Sequence, residues 1–408
     1  MSTLLERFCR YVQVETTAVE QTTDYPSSKG QLELGRILAE ELRALGLKDV
    51  EQDANGLVWA TVPGNVPGAP TIAWLAHVDT SPDYTAAKVK PIVHKNYAGD
   101  DIALPGDPTK VIRVSETPHL SSYRGKTLIT TDGTTLLGAD DKAGVAVIMT
   151  AVAALVADRA RQHGPIRIIF TCDEEVGRGV NKIELSKIGA VCAYTLDGEA
   201  HGLIENETFS ADGAVVTFRG VNIHPGLATG RMVNALRAAG LFLSRLPRDL
   251  APETTSDRGG FIHPYGIEGG VGEAKLRLIL RSFETLALGA HASLLQRIAQ
   301  QVEAEMPGCK VSVEVKTQYR NMREYLAKEP RAVKLAAEAF RKIGIEPTFK
   351  SIRGGTDGSR LSELGLPTPN LSTGMHNFHS PLEFAVLEEM QTAVDMLLEL
   401  ATLWGKER

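Results

Sequence analysis

The chain has 408 residues, of which 43% are hydrophobic and 23% are charged, and its formal net charge is −6 at pH 7. This length exceeds what one hydrophobic core usually organises, so we expect at least two domains. The composition excludes a disordered chain, and the lack of a basic run or stripe argues against a nucleic-acid partner.

The cysteines and the apolar runs indicate the cellular compartment of the protein. Four scattered cysteines without C-x-x-C spacing suggest neither a disulfide framework nor a thiolate zinc site. The longest apolar run, Val145 to Ala157, is too short to span a bilayer. Charged residues occupy the amino terminus, where a signal peptide would need its apolar stretch. We therefore expect a cytoplasmic enzyme or binding protein with no membrane partner.

The first two hundred residues alternate helical and strand patterns, which is typical of an α/β fold. Because the strand patterns are separated by helices, we predict a mixed, mainly parallel sheet sandwiched by helices. The segment Thr80 to Lys126 shows no clear period and is predicted to be a long surface loop. Helices are predicted at 31–45 and 144–157, and strands at 56–62, 71–76, 166–171 and 191–196.

The pattern changes between residues 209 and 320. Strands are predicted at 214–218, 268–272, 275–283 and 310–316, and helices at 232–246 and 284–305. The resulting order β-α-β-β-α-β is that of a ferredoxin-like α+β unit. We therefore predict a lid domain, 209–320, inserted into a catalytic domain made of 1–208 and 321–408, which ends with a helix at 385–404.

Polar residues that suit metal binding follow the predicted strands directly. His77 and Asp79 close the strand 71–76, Asp173 to Glu175 follow the strand 166–171, and Asp197 follows the strand 191–196. Ligands of open α/β sheets gather outside the carboxyl ends of the strands. Asp140 and Asp141 stand at a helix start, and His379 lies in a loop before the last helix.

Each of these groups has an ordinary structural explanation when it is taken alone. His77 could be a core histidine bonded to Asp79, the aspartate pair could cap a helix, and the acidic turn could be solvated. Together, however, they supply two imidazoles and three carboxylates from His77, Asp140, Glu175, Asp197 and His379. This set suits two zinc ions that share a bridging ligand, with Glu174 free to accept a proton.

The same residues resemble the peptidase T family, tripeptide aminopeptidases among the di-zinc exopeptidases related to carboxypeptidase G. The resemblance covers nearly the whole chain. It is carried by His379 and by five motifs: His77–Asp79 (HVD), Gly138–Gly144 (GADDKAG), Asp173–Gly177 (DEEVG), Asn321–Glu324 (NMRE) and Arg353–Gly358 (RGGTDG).

The resemblance implies a role for each metal-site residue. His77 and Asp197 would hold one zinc, Glu175 and His379 would hold the other, and Asp140 would bridge two Zn²⁺ per chain. Asp79 would orient His77. Glu174 would be the general base for attack by a zinc-bound hydroxide. An Asp140–Asp141 cis peptide is also implied.

Four further residues are candidates for binding substrate. The resemblance places His224 where an oxyanion donor would lie, although a turn histidine before proline is the alternative. Arg281 and Arg353 could bind the free carboxylate of a peptide, supported by Asn234. Arg281 could instead be an outward-facing arginine on a half-buried strand. The chain departs from the family pattern at Glu199 to His201 and after His379, which leaves substrate preference open.

These inferences predict a cytoplasmic zinc aminopeptidase that acts on short peptides, most of all tripeptides, as a monomer or homodimer. The rivals within the enzyme class are a zinc dipeptidase, a carboxypeptidase and an acyl-amino-acid deacylase. A catalytically inactive peptide-binding protein and a metal store are the alternatives outside it. An inactive binding protein has no chemical need for the spare carboxylate of Glu174, and a metal store needs neither an inserted lid nor arginines that face the site.

Overall fold

The computed structural model describes residues 2–408. The chain forms two compact units. The first contains the residues up to Asn206 together with Glu324–Lys350 and Thr356–Arg408, and the second contains Glu207–Arg323 and Ser351–Gly355.

The first unit begins with an alternation of helices and strands. In chain order these are α1 (Leu4–Val12), α2 (Lys29–Ala44), β1 (Glu51–Gln52), β2 (Val58–Val62), β3 (Ile72–His77), β4 (Ile92–His94), β5 (Ile102–Ala103), β6 (Val111–Ile112), β7 (Leu128–Thr130), α3 (Ala139–Ala157), β8 (Ile166–Thr171), α4 (Leu185–Ile188), β9 (Cys192–Glu199) and β10 (Leu203–Thr208). The predicted elements of this part are present in the predicted order, and the additions to them are α1, β1, β4, β5, β6, β7, α4 and β10.

The next elements belong to the second unit, and the closing ones mostly return to the first. They are β11 (Ser210–Arg219), α5 (Ala235–Ser244), β12 (Phe261–Gly269), β13 (Glu273–Ser282), α6 (Thr285–Glu305), β14 (Lys310–Tyr319), α7 (Arg323–Leu326), α8 (Arg331–Lys342), β15 (Thr348–Ile352), α9 (Asp357–Leu364), β16 (Asn370–His376), β17 (Phe384–Val386) and α10 (Leu387–Trp404).

One large mixed sheet organises the first unit, so the predicted α/β fold is confirmed. Nine of its eleven strands run in the order β1-β2-β8-β3-β9-β16-β17-β7-β4, and β10 pairs with both β16 and β15 off this path. The four central strands, β8, β3, β9 and β16, pair in parallel, and antiparallel pairs flank them. All six residues of β3 are buried, as expected for a central strand covered on both faces.

The parallel register places several strand ends at one edge of the sheet. His77, the last residue of β3, lies opposite Thr171, the last residue of β8. On the other side of β3, Leu75 lies opposite Thr195 of β9. Side chains that follow these strands must therefore lie near one another, and this register is what positions the site.

Two element predictions were wrong. The segment Thr80 to Lys126 is not a featureless loop, because it contains β4, β5 and β6 and has its own small core, which includes Leu104 and Leu120. Strands of two or three residues carry no readable period, which explains the error. The strand predicted at 268–272 instead spans Phe261–Gly269, where a register shift between Pro264 and Gly266 interrupts the alternation.

The second unit has the predicted β-α-β-β-α-β order. Its strands form a separate antiparallel sheet in the order β12-β13-β11-β14. Helices α5 and α6 pack against this sheet through a core that includes Phe218, Phe242, Leu278 and Leu295. Among residues 2–408, no helix combines the length and the apolar character that a membrane crossing requires.

A buried carboxylate joins the segments at which the chain enters and leaves the second unit. Glu207 accepts hydrogen bonds from Arg258 at 2.6 and 2.9 Å and from Ser351 at 2.8 Å, and it lies 3.4 Å from Arg323. Hydrogen bonds from Arg258 hold the pKa of Glu207 at about 2. The ionised form is therefore stabilised in the folded protein.

Replacing Glu207 with glutamine is expected to destabilise the protein by about 1 to 3 kcal/mol at pH 7, because Arg258 loses the nearer of its two carboxylate partners. The pKa of Glu207 is lower in the folded protein than in the unfolded chain. The stabilisation by its ionised carboxylate is therefore fully present above the ordinary glutamate pKa and is lost as pH falls toward about 2. Thermal unfolding between pH 7 and pH 3 should show the two proteins converging at the acid end. E314Q, on the exposed surface of β14, is the control and should melt like the parent protein.

Candidate metal centre

Five side chains predicted to bind metal converge at the sheet edge. His77 ends β3, Asp140 lies in the first turn of α3, Glu175 follows β8, Asp197 lies near the end of β9, and His379 lies between β16 and β17. The first four are drawn from neighbouring strands and from the helix that packs on them. The structure thus brings together all five residues.

Local backbone geometry allows α3 to approach β9 at this point. Gly138, which precedes α3, has φ +79°, a conformation that favours glycine. A Cβ atom at Gly144 would lie 1.8 Å from the carbonyl oxygen of Leu196. Glycine at 144 therefore permits the close packing that brings Asp140 beside Asp197.

The two carboxylate oxygens of Asp140 face two different histidines. Its Oδ1 lies 3.0 Å from His77 Nε2, which is 3.6 Å from Asp197 Oδ1. Its Oδ2 lies 3.4 Å from His379 Nε2, which is 2.9 Å from Glu175 Oε2. Asp140 therefore stands between two sets, each with one imidazole and one further carboxylate.

The carboxylates of this cluster are crowded and poorly solvated. Burial, with a further contribution from the charge of Asp140, raises the pKa values of Glu175 and Asp197 to about 7. The pKa of His379 is lowered by burial but raised more strongly by its contacts with Asp140 and Glu175, to about 11. The cluster therefore favours additional positive charge.

The donor set fits a divalent cation. Ligand atoms of His77, Asp140 and Glu175 lie within 4.8 Å of one another. Glu175 Oε1 is buried and has no hydrogen-bond partner among residues 2–408, which is costly unless a cation or water pairs with it. Imidazole nitrogens with carboxylate oxygens are ligands that zinc accepts. These side chains are therefore the candidate ligands of a metal site.

Asp141 also offers an oxygen near His77 and Asp197, but its carboxylate is already engaged. Its Oδ2 accepts the backbone N–H of His77 at 3.1 Å, and its Oδ1 accepts that of Gly144 at 3.2 Å. The peptide bond between Asp140 and Asp141 is cis. Asp141 thus joins the end of β3 to the start of α3, which leaves Asp140 as the better placed ligand.

Asp79 connects His77 to the acidic turn. Its side chain is fully buried, and Oδ1 lies 3.4 Å from His77 Nδ1. The two carboxylate oxygens accept the backbone N–H groups of Glu174 at 3.1 Å and Glu175 at 3.0 Å. Asp79 therefore fixes both a histidine and the backbone that carries two glutamates.

The backbone N–H of Glu174 is bonded to Asp79, and the carboxyl group of Glu174 lies among other carboxylates. Burial raises the pKa of Glu174 well above the ordinary value, His77 opposes this, and Asp357, Asp197 and Glu175 add to it. A carboxyl group with a raised pKa is suited to take up and release a proton near neutral pH.

Sequence reasoning missed two residues that support the candidate ligands, Glu383 and Asp83. Glu383 accepts the N–H groups of Leu137 and Gly138 at 2.8 Å and of Asp140 at 3.0 Å, so it holds the turn before α3. Asp83 Oδ2 lies 2.9 Å from His379 Nδ1, which directs the other ring nitrogen toward Asp140. Neither residue carries a local motif. The only indication in the sequence was the length of the segment that contains Asp83, because long loops often carry functional residues.

The predicted substrate residues His224 and Asn234 lie in the second unit. His224 is exposed, and its Nδ1 accepts the N–H of Gly226 at 3.1 Å. Asn234 Oδ1 accepts the N–H groups of Leu236 and Arg237 at 2.9 and 3.3 Å, so it caps α5. Their contacts with a substrate stay a prediction.

The two predicted arginines also lie in the second unit, where backbone carbonyls hold both guanidinium groups. Arg353 donates to the carbonyl oxygens of Asp257 and Gly259, both at 2.8 Å. Arg281 donates to the carbonyl oxygens of Asp212 and Leu280, at 3.3 and 3.0 Å. These contacts fix the direction of each side chain, and their binding of a carboxylate likewise stays a prediction.

The sequence of the chain is similar to one family model and to curated proteins. Residues 128–403 match the family model described as Peptidase family M20/M25/M40. The chain is 43% identical over 405 residues to "Peptidase T" of Geobacillus sp. (strain WCH70), covering 99% of each sequence.

Two solved structures share the fold. An aminopeptidase PepT from Bacillus cereus ATCC 10987 gives a TM-score of 0.77 at 24% identity. A tripeptidase from Staphylococcus aureus subsp. aureus Mu50 gives a TM-score of 0.78 at 22% identity. Each comparison covers 99% of this chain and 98% of the other.

Proposed function

This chain belongs to peptidase family M20/M25/M40, and from that membership we infer that it is a metallo-aminopeptidase that releases the amino-terminal residue of tripeptides. The resemblance to peptidase T is thereby confirmed. The observation that carries the proposal for its site is the position of Asp140, whose two oxygens face two separate pairs of metal-ligand side chains.

We propose that two zinc ions bind at this site. His77 and Asp197 would hold one ion, Glu175 and His379 would hold the other, and Asp140 would contribute one oxygen to each. The distances from Asp140 to the two imidazoles support this division. When bound, the two ions would polarise the scissile carbonyl, lower the pKa of a water molecule and stabilise the developing charge.

The chain itself would supply the proton transfers. Glu174, beside the ligand Glu175 and with a raised pKa, would accept the proton of the attacking water and then pass it to the leaving amine. Asp79 would keep His77 and the backbone of the acidic turn in place through the three contacts described above. Glu174 and Asp79 are thus assigned different tasks.

We further propose that residues 209–320 act as a lid domain, with 1–208 and 321–408 as the catalytic domain. His224 would stabilise the oxyanion, and Arg281 and Arg353, with Asn234, would bind the free carboxylate of the peptide. The guanidinium groups suit this task because they can pair with a carboxylate through two donors. Short peptides are the proposed partners of the protein as a monomer or homodimer.

Four matched substrates separate this function from its rivals: one free tripeptide, its amino-acetylated form, its carboxy-amidated form and the corresponding dipeptide. We expect release of the first residue from the free tripeptide, slower release from the amide because the carboxylate contact is lost, and no release from the acetylated peptide. Product analysis by chromatography identifies the bond that is cut.

Each rival would give a different product. A carboxypeptidase would release the last residue of the acetylated peptide, and a deacylase would release acetate from it. A dipeptidase would prefer the corresponding dipeptide to the tripeptide. Any of these outcomes would contradict the proposed activity, whereas no turnover of any substrate with two bound zinc ions would favour the inactive binding protein.

A further inference from the structure

A second polar cluster is centred on the buried carboxylate of Glu389. This residue is in the first turn of α10, and its side chain is 1% exposed. His201 Nδ1 lies 2.5 Å from its Oε1, and His376 Nε2 lies 2.7 Å from its Oε2. One buried carboxylate therefore bridges two imidazoles, and the hydroxyl group of Tyr123 lies 3.2 Å from His376 Nε2.

The two histidines belong to segments that carry different members of the metal site. His201 follows the end of β9, the strand that contains Asp197. His376 is the last residue of β16 and precedes His379 by three positions. By bridging the two imidazoles, Glu389 connects the segment of Asp197 to the segment of His379.

Backbone hydrogen bonds join the same two segments. The N–H of Ala200 donates to the carbonyl oxygen of Met375 at 3.0 Å, and the N–H of Gly374 donates to that of Ala200 at 2.7 Å. Ala200 adopts φ +54°, which is unfavourable for a residue with a Cβ atom. This turn therefore needs support from its surroundings, and the contact of His201 with Glu389 provides it.

The charge of Glu389 is well compensated. Burial raises its pKa, but the hydrogen bonds from His201 and His376 outweigh burial and lower the pKa to about 2. Its position in the first turn of α10 also favours a negative charge. Glu389 is thus ionised and bonded on both sides at neutral pH.

We propose that Glu389 is a positioning residue of the metal centre, which fixes the segment of Asp197 relative to that of His379 and thereby raises the affinity for the second of two divalent cations. The inference rests on the proposed function, because it assigns Asp197 and His379 to different ions. A residue that only stabilised the fold would change the melting temperature without changing the zinc affinity.

The test is a zinc titration of the full chain, with free zinc set by a chelator and at a temperature where every apoprotein is folded. E389L removes the bridge, and H201A removes one of its contacts at a position whose side chain is 43% exposed. D395L, at an exposed site on the same helix, is the control and should bind zinc like the parent protein. We expect E389L to weaken the second zinc about tenfold or more, as for other residues that orient metal ligands, and H201A to weaken it by a smaller factor.

The double variant H201A/E389L shows whether the two residues act through one contact. Its zinc affinity should equal that of E389L, because the losses do not add when both changes break the same interaction. Additive losses, or unchanged affinity in E389L, would overturn the inference. If E389L does not fold, H201A provides the test, and an unchanged zinc affinity in H201A would overturn the inference. Fewer than two zinc ions on the parent protein would instead refute the proposed function.

Discussion

Changing Glu174 to glutamine is expected to lower kcat by about 10³- to 10⁴-fold, at the upper end of what a general base contributes. Glutamine has nearly the same shape but cannot accept the proton of the attacking water. The backbone N–H of residue 174 would still bond to Asp79, and the five metal-ligand side chains are unchanged. Steady-state hydrolysis of a free tripeptide, with zinc content measured on the same sample, gives the result.

The control for this change is E184Q, an exposed glutamate in the surface segment that follows the acidic turn. It should retain the parent activity. Zinc content should remain near two per chain in both variants. If E174Q hydrolysed the tripeptide at the parent rate, the assignment of Glu174 as the general base would be wrong.

Replacing Asp140 with asparagine is expected to remove metal from both positions. The amide group of asparagine supplies one oxygen where the carboxylate supplied two, and it removes a negative charge from a site that is proposed to bind two cations. We expect the zinc content to fall from two to below one per chain after dialysis. Catalysis should fall at least about 10³-fold, since metal ions supply several kcal/mol of transition-state stabilisation.

D158N is the matched control for this change, because Asp158 is an exposed aspartate at the opposite end of α3. It should bind two zinc ions and hydrolyse the tripeptide like the parent protein. Elemental analysis and activity can be measured on the same preparations. A D140N protein that kept two zinc ions and full activity would show that Asp140 does not bridge the metals.

Sequence reasoning selected the candidate metal ligands because most of them stand at strand ends or helix starts, which are readable in the sequence. The apolar runs that became β3, β8 and β9 are each followed by charged residues, and parallel strands align their carboxyl ends at one edge. The convergence of His77, Glu175 and Asp197 follows from this topology. His379 was weak evidence when taken alone, because a histidine in a loop carries no pattern of its own, and it joined the set only in combination with the other four residues.

The supporting residues could not be predicted because their contacts span the chain. Glu383 lies more than 240 positions from the turn it holds, and Asp83 lies 296 positions from His379. Both look like ordinary surface acids in the sequence. Such contacts depend on how the chain closes in space, which neither periodicity nor strand-end chemistry encodes.

The dispersal of the metal ligands along the chain affects when the centre can form during synthesis. His77, Asp140, Glu175 and Asp197 all precede the second unit, but His379 and the turn-holding Glu383 follow it. A ribosome-bound chain that has emerged only through the second unit therefore has four donors and lacks the fifth. If these five side chains bind the metals as proposed, complete metal binding must wait until the last elements, β16 through α10, have left the ribosome and folded onto the sheet.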